Sequence, residues 1–150
     1  MDPLTTMALR ATLHCLTGCA IGEVAGLAIG TAMGWATAPT MALAIGLAFV
    51  FGYAFTGVGL VRGGMGLRAA AGVALAADTV SIAVMEVVDN AVMLLVPGAM
   101  GAGLGDALFW GALAVALLVA FLVAVPVNRW LIARGRGHAV AHGHHGPHPA

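Results

Sequence analysis

The chain has 150 residues, of which 61% are hydrophobic and only 8% are charged, and its mean hydropathy is +1.03. Soluble domains carry about 25% charged residues, so this composition excludes an ordinary soluble protein. Lysine is absent and the formal net charge is zero, which excludes a basic surface for nucleic acid. The remaining class is an integral membrane protein embedded in a lipid bilayer.

Four apolar stretches reach the roughly 20 residues that a helix needs to cross a bilayer. The predicted spans are about 8–35, 40–61, 69–97 and 104–134. They form one transmembrane domain, 8–135, between a short N-terminal segment, 1–7, and a tail, 136–150. The predicted fold is therefore all-α, a polytopic bundle of four transmembrane helices.

The arginines predict the orientation of this bundle. They precede the first span, occupy the second loop and follow the core of the fourth span, and the first and third loops have none. They are Arg10, Arg62, Arg68, Arg129, Arg134 and Arg136. The positive-inside rule therefore predicts that both termini are cytoplasmic.

The first span carries a glycine at every fourth position. These residues are Gly18, Gly22, Gly26, Gly30 and Gly34. Such a ridge of small residues lets another helix backbone approach closely. It predicts helix packing, either inside the chain or in a homo-oligomer.

The same span carries Cys15, Cys19 and Glu23 within an arc of about 80°, on the side of the glycines. His14 lies about 100° round from Cys15, so it flanks this stripe. Cysteines four residues apart on a helix hold their Cβ atoms about 6 Å apart, too far for a disulfide.

The third span carries a second polar stripe, about 100° wide, with Asn90 at its edge. Its members are Asp78, Met85, Glu86, Asp89 and Met93. The first and third spans run parallel, and a rise of about 1.5 Å per residue brings the two stripes to similar depths. Cys15 and Cys19 should bracket Asp78, and Glu23 should lie near Glu86. If the two stripes face each other, they form a polar ladder through most of the bilayer, and we use this name for Cys15, Cys19, Glu23, Asp78, Glu86 and Asp89.

The four carboxyl groups of the ladder have no lysine or arginine at comparable depth. A carboxylate at membrane depth is costly and usually marks a functional site. Without a partner it must be protonated, share a proton or bind a cation. A proton relay and a cation site are both consistent with the sequence.

Ligand chemistry favours a transition metal ion (Zn, Cu or Fe). Carboxylates alone suit Mg, Ca or Mn, whereas thiolate, imidazole and thioether suit softer ions. The predicted metal ligands are the six ladder residues, flanked by His14, Met85, Asn90 and Met93. Cysteine and methionine also serve as ordinary core residues. No standard catalytic motif is present, which favours a protein that is not an enzyme.

The tail holds five of the six histidines: His138, His142, His144, His145 and His148. It lacks apolar periodicity, which predicts disorder. Histidine-rich tails bind metal through neutral imidazole, so the tail is either a cytoplasmic metal-capture segment or a soluble low-complexity segment.

The motifs resemble a family of small bacterial four-span membrane proteins catalogued as a domain of unknown function. The resemblance covers about residues 10–134 and implies a multi-pass protein of the bacterial inner (cytoplasmic) membrane. It rests on His14-Cys15-x-x-Gly18-Cys19-x-x-Gly22-Glu23, on Asp78-Thr79-Val80-Ser81-Ile82 with Met85-Glu86-x-x-Asp89-Asn90, and on Pro126-Val127-Asn128-Arg129-Trp130.

The sequence therefore favours metal transport or handling through an intramembrane site. One alternative is a proton-coupled carrier of a small solute, in which Glu23 and Glu86 carry protons. Another is a non-catalytic assembly factor whose polar stripes bind a second membrane protein.

The arginine distribution makes a direct prediction about topology. A reporter fused after Arg136 should be active only as a cytoplasmic reporter, and one inserted at 37–40 only as a periplasmic reporter. Paired reporter fusions in the native membrane measure this, and the reverse pattern would refute the predicted orientation.

Overall fold

A computed structural model describes residues 1–135. It contains α1 (Pro3–Ala32), α2 (Thr37–Arg62), α3 (Leu67–Leu95) and α4 (Ala107–Ala133), with a 3-10 turn at Ala99–Gly101. All four helices are long and apolar enough to span a membrane, and the described residues form no strand. The predicted all-α fold with four membrane-spanning helices is confirmed. The tail, 136–150, and its five histidines lie outside the described residues.

All four helices begin a few residues away from the expected positions, and an aspartate organises the start of α1 and of α4. α1 begins five residues early, since Pro3 opens the helix and the Asp2 side chain accepts a hydrogen bond from the Leu4 N–H at 3.3 Å. α4 begins three residues late, since Asp106 Oδ2 accepts the Gly103 N–H at 2.8 Å and holds the preceding loop closed.

α1 ends in a tight turn around Gly34. This glycine has a φ of 68°, which side-chain-bearing residues rarely adopt, and the Trp35 N–H returns to the Gly30 carbonyl at 2.8 Å. Nothing lies within 4 Å of where a Cβ on Gly34 would be. Gly34 therefore belongs to the turn, and the expectation that it extends the packing ridge is wrong.

The other four ridge glycines pack against α2. A Cβ placed on Gly18 would lie 2.8 Å from the Gly52 Cα, so the two backbones are in direct contact. Along the ridge, Gly18 faces Gly52, Gly22 faces Ala48, Gly26 faces Ala44 and Gly30 faces Thr40. The rising numbers on α1 meet falling numbers on α2, so the helices are antiparallel and the ridge is covered within one chain.

α4 closes the bundle against α1 and α3. Its small residues Ala116, Ala120 and Ala124 are fully buried. At one end, Arg129 forms an exposed ion pair with Asp2 at 3.3 Å, so the start of α1 and the end of α4 lie together. An exposed pair of this kind contributes little stability, but it shows that the termini of the bundle share one end.

α1 and α3 each contact all three other helices, so these two helices form the centre of the bundle. Large apolar side chains such as Val87, Leu95 and Leu122 are more than half exposed and cover the outside of the bundle. In an all-helical membrane protein this outer surface faces the acyl chains of the lipid.

The ridge generates a stability prediction. Gly26→Leu would insert a side chain where Ala44 already lies, and overpacking of this kind costs about 1–3 kcal/mol or more. Thermal unfolding in detergent should show a lower midpoint. Gly46→Leu is the control, because this exposed glycine on α2 has nothing within 4 Å of its Cβ position. Equal midpoints for both variants would contradict the close contact.

Candidate functional site

The polar ladder lies between α1 and α3, where thiols and carboxyl groups of the two helices meet. At the first level of the ladder, which is the one closest to the N-termini of α1 and α3, the Cys15 thiol donates a hydrogen bond to Asp78 Oδ1 at 3.7 Å. Both residues are fully buried. One turn further along α1, Cys19 lies beside Glu86. A turn beyond that, Glu23 lies beside Asp89. The structure thus brings all six predicted ladder residues together as three pairs.

Glu23 interacts with Glu86, in agreement with the depths expected by counting residues. Each of the two also has a second neighbour, because Glu23 lies beside Asp89 and Glu86 lies beside Cys19. Helical side chains tilt toward the N-terminus of their helix, which brings the long Glu86 side chain down to the level of Cys19.

Several ladder oxygens in the described part of the chain are buried with only a thiol or a second carboxyl group beside them. They are Glu86 Oε1 and both carboxyl oxygens of Asp89, on residues that are 4% and 2% exposed. The second oxygen of Glu86 accepts a hydrogen bond from the Asn90 amide at 3.4 Å. Buried acceptors with so few partners are costly, so these positions suit a proton, a water molecule or a cation.

No basic side chain balances this charge within the described residues. Their single ion pair, between Arg129 and Asp2, lies at the exposed end of the bundle. His14 turns toward α2, where its ring makes an edge contact with Phe55 at a centroid distance of 5.7 Å. The ladder therefore has the composition of a site for positive charge.

The ladder offers its ligands in pairs. Within residues 1–135, no three His, Cys, Asp or Glu side chains converge closely enough to hold a metal ion. A further soft group is nevertheless close, because Met85 is 1% exposed and packs in one cluster with Cys15 and Cys19. Of the predicted flanking residues, Met85 and Asn90 thus contact the ladder and His14 points away from it.

A cavity of about 290 Å³ opens at the end of the bundle opposite the termini, and we call it the end cavity. Glu23 and Asn90 line it where it meets the ladder. Three methionines also line it: Met41 from α2, Met93 from α3 and Met100 from the 3-10 turn. The upper part of the ladder is therefore continuous with a space large enough for a small ligand.

A second space lies on the side of the bundle, in a groove between α2 and α3. Its volume is about 320 Å³, and its lining includes Phe49, Glu86 and Leu94. Met41 and Asn90 line both this groove and the end cavity. Glu86 contributes only apolar atoms to this lining, and its carboxyl group faces the ladder.

Sequence reasoning missed the polar contacts that other helices make with α1 and α3. Asn128 of α4 donates its amide to Thr12 Oγ1 at 2.8 Å, and both residues are buried. Thr56 of α2 approaches Asp78 at the first level of the ladder. The available signal was a single amide or hydroxyl in an otherwise apolar span, which usually marks an interhelical contact.

Comparison with known proteins identifies the family. The chain belongs to the DUF4396 family, a domain of unknown function, whose model matches residues 5–137. The expected membership in a family of unknown function is confirmed, and the matched region includes every ladder residue. No curated protein and no solved structure matches the chain.

The Thr12–Asn128 contact generates a prediction about polar pairs in the bundle. Thr12→Val should cost about 1–3 kcal/mol, because it leaves the buried Asn128 amide without its acceptor. Adding Asn128→Leu should recover most of that loss, since both partners are then apolar. Thermal unfolding in detergent measures both. Thr17→Val is the control, because Thr17 is exposed and bonds only within α1. Additive losses in the double variant would contradict the pairing.

Proposed function

We propose that this member of the DUF4396 family transports or handles a transition metal ion within the inner (cytoplasmic) membrane of a bacterium, with both termini cytoplasmic. The observation that carries the proposal is the fully buried hydrogen bond from the Cys15 thiol to Asp78 at 3.7 Å. A thiol must lose its proton to bind a metal ion, and here a carboxyl oxygen lies where that proton would go.

The proposed step couples metal binding to a proton transfer within the pair. A metal–sulfur bond forms at Cys15 Sγ as its proton passes to the Asp78 carboxylate. The pair begins with one negative charge, so a monovalent cation leaves it neutral, as a metal thiolate beside a carboxylic acid. Cys19 and Glu86 form a second pair of the same composition one turn along. The charge of a bound cation would therefore take the place of the basic counterion that this buried acidic site lacks.

The ligand set supports a soft ion over a hard one. Thiol groups of Cys15 and Cys19 and the thioether of Met85 share one buried cluster, and such ligands favour Cu(I), Zn or Fe over Mg or Mn. Structural zinc sites almost always use four ligands, whereas the ladder presents its ligands in pairs. Among the three metals expected from the sequence, this arrangement favours copper.

A second function is supported by Glu23 and Asp89, whose side chains lie next to each other where the ladder meets the end cavity. Two buried carboxyl groups this close cannot both ionise easily and tend to share a proton. In this alternative the protein is a proton-coupled carrier of a small solute, and Glu23 and Glu86 carry the protons without metal.

Two substitutions at one level of the ladder separate these functions. They are made in the tail-substituted chain, which is the full chain with His138, His142, His144, His145 and His148 replaced by alanine, so that the tail contributes no imidazole.

If metal binds, Cys19→Ser should weaken Cu or Zn binding about tenfold or more and leave Mn binding unchanged, because only softer ions gain from thiolate. Glu86→Gln should lower the metal content of a folded protein. Elemental analysis and metal titration measure these effects, and Thr17→Ser on the exposed side of α1 is the control.

A different pattern would favour the proton carrier. A tail-substituted chain with no stoichiometric metal, and with Cu and Zn affinities unaffected by Cys19→Ser, would contradict the metal proposal. The amide of Glu86→Gln resembles a protonated carboxyl group, so in a proton carrier it should preserve thermal stability and abolish proton-coupled uptake.

A further inference from the structure

We infer that the end cavity is an entry site for Cu(I), held by the thioether sulfurs of Met41, Met93 and Met100. This inference rests on the proposed metal function, because it names the ion and the place where the ion first binds. It assigns a role to three residues that the ladder does not use.

Three separate segments bring these methionines to one space. Met41 comes from the first turns of α2, Met93 from the last turn of α3 and Met100 from the 3-10 turn that follows. The protein has eight methionines, and three of them line a cavity of about 290 Å³. Methionine side chains are flexible, so their sulfur atoms adjust readily around an ion of small radius.

The charge of the cavity selects a cation. No lining residue in the described part of the chain is basic, and the charged side chain among them is Glu23. One carboxylate balances one monovalent ion. The lining also includes oxygen-bearing side chains from three threonines and Asn90, but its three thioether sulfurs favour a soft ion such as Cu(I) over a hard divalent ion.

Sulfur ligands continue from the cavity into the ladder. Met85 precedes Met93 by eight residues on α3, about 12 Å along the axis, and it packs with Cys15 and Cys19. A thioether is neutral and binds without losing a proton, whereas a thiol must release one. The thioethers of the end cavity therefore bind the ion without releasing a proton, whereas binding at the ladder thiols is coupled to proton transfer.

The test uses Ag(I), a probe with the charge and softness of Cu(I), on the tail-substituted chain. Met41→Leu, Met93→Leu and Met100→Leu conserve volume and remove the sulfur atoms. Together they should weaken Ag(I) binding at one site about tenfold or more. The matched control combines Met33→Leu and Met65→Leu, which lie outside the cavity lining and should change nothing.

A second measurement needs no substitution in the cavity. In a Cys15→Ser, Cys19→Ser variant labelled with selenomethionine, copper absorption spectroscopy of the Cu(I)-loaded protein should show a copper–selenium shell. The triple leucine variant should remove this shell. Its absence before the leucine changes would overturn the entry site, whatever the stability of the leucine variant.

The outcomes separate the two proposals. If the cysteine changes weaken Ag(I) binding but the leucine changes do not, the entry site is refuted and the ladder function stands. If the leucine changes weaken binding but the cysteine changes do not, the cavity site stands and metal handling by the ladder is refuted.

Discussion

Direct backbone contact between α1 and α2 is the constraint on which the rest of the structure depends. Within a bilayer there is little hydrophobic force between helices, so close packing of small residues must supply the association. The ridge from Gly18 to Gly30 provides that contact along the C-terminal half of α1. Once this face is fixed against α2, the rotation of α1 is fixed as well. The thiols and Glu23 are then directed at α3, and Thr12 is directed at α4.

This arrangement places negative charge where it is most costly. Four carboxyl groups are buried or partly buried between α1 and α3, and the described arginine that forms an ion pair does so at the exposed end of the bundle. A proton or cation bound there would offset the cost of burying the carboxyl groups and would stabilise the folded bundle.

Helical periodicity predicted much of this site. A period of 3.6 residues places Cys15, Cys19 and Glu23 on one side of α1, and the parallel direction of α1 and α3 follows from the number of spans. The depth of Asp78 relative to Cys15 also follows from counting residues. The contacts of Cys19 with Glu86 and of Glu23 with Asp89 could not be obtained by counting, because they depend on side-chain length and tilt.

The end cavity and the Thr12–Asn128 contact could not be predicted from the sequence. The cavity requires the conformation of 99–103 after α3, which no periodic pattern specifies. The Asn128 contact requires the rotation of α4, whose sequence is apolar on every side and so does not indicate which face is buried. Gly34 was misassigned because its spacing continues the ridge, although its backbone has already left the helix.

Met41 and Asn90 line both the end cavity and the groove between α2 and α3, so these two side chains form the wall between the two spaces. A hydrogen bond from Asn90 to the Glu86 backbone carbonyl at 2.9 Å anchors one side of this wall. Separation of the two spaces therefore depends on one amide and one flexible thioether.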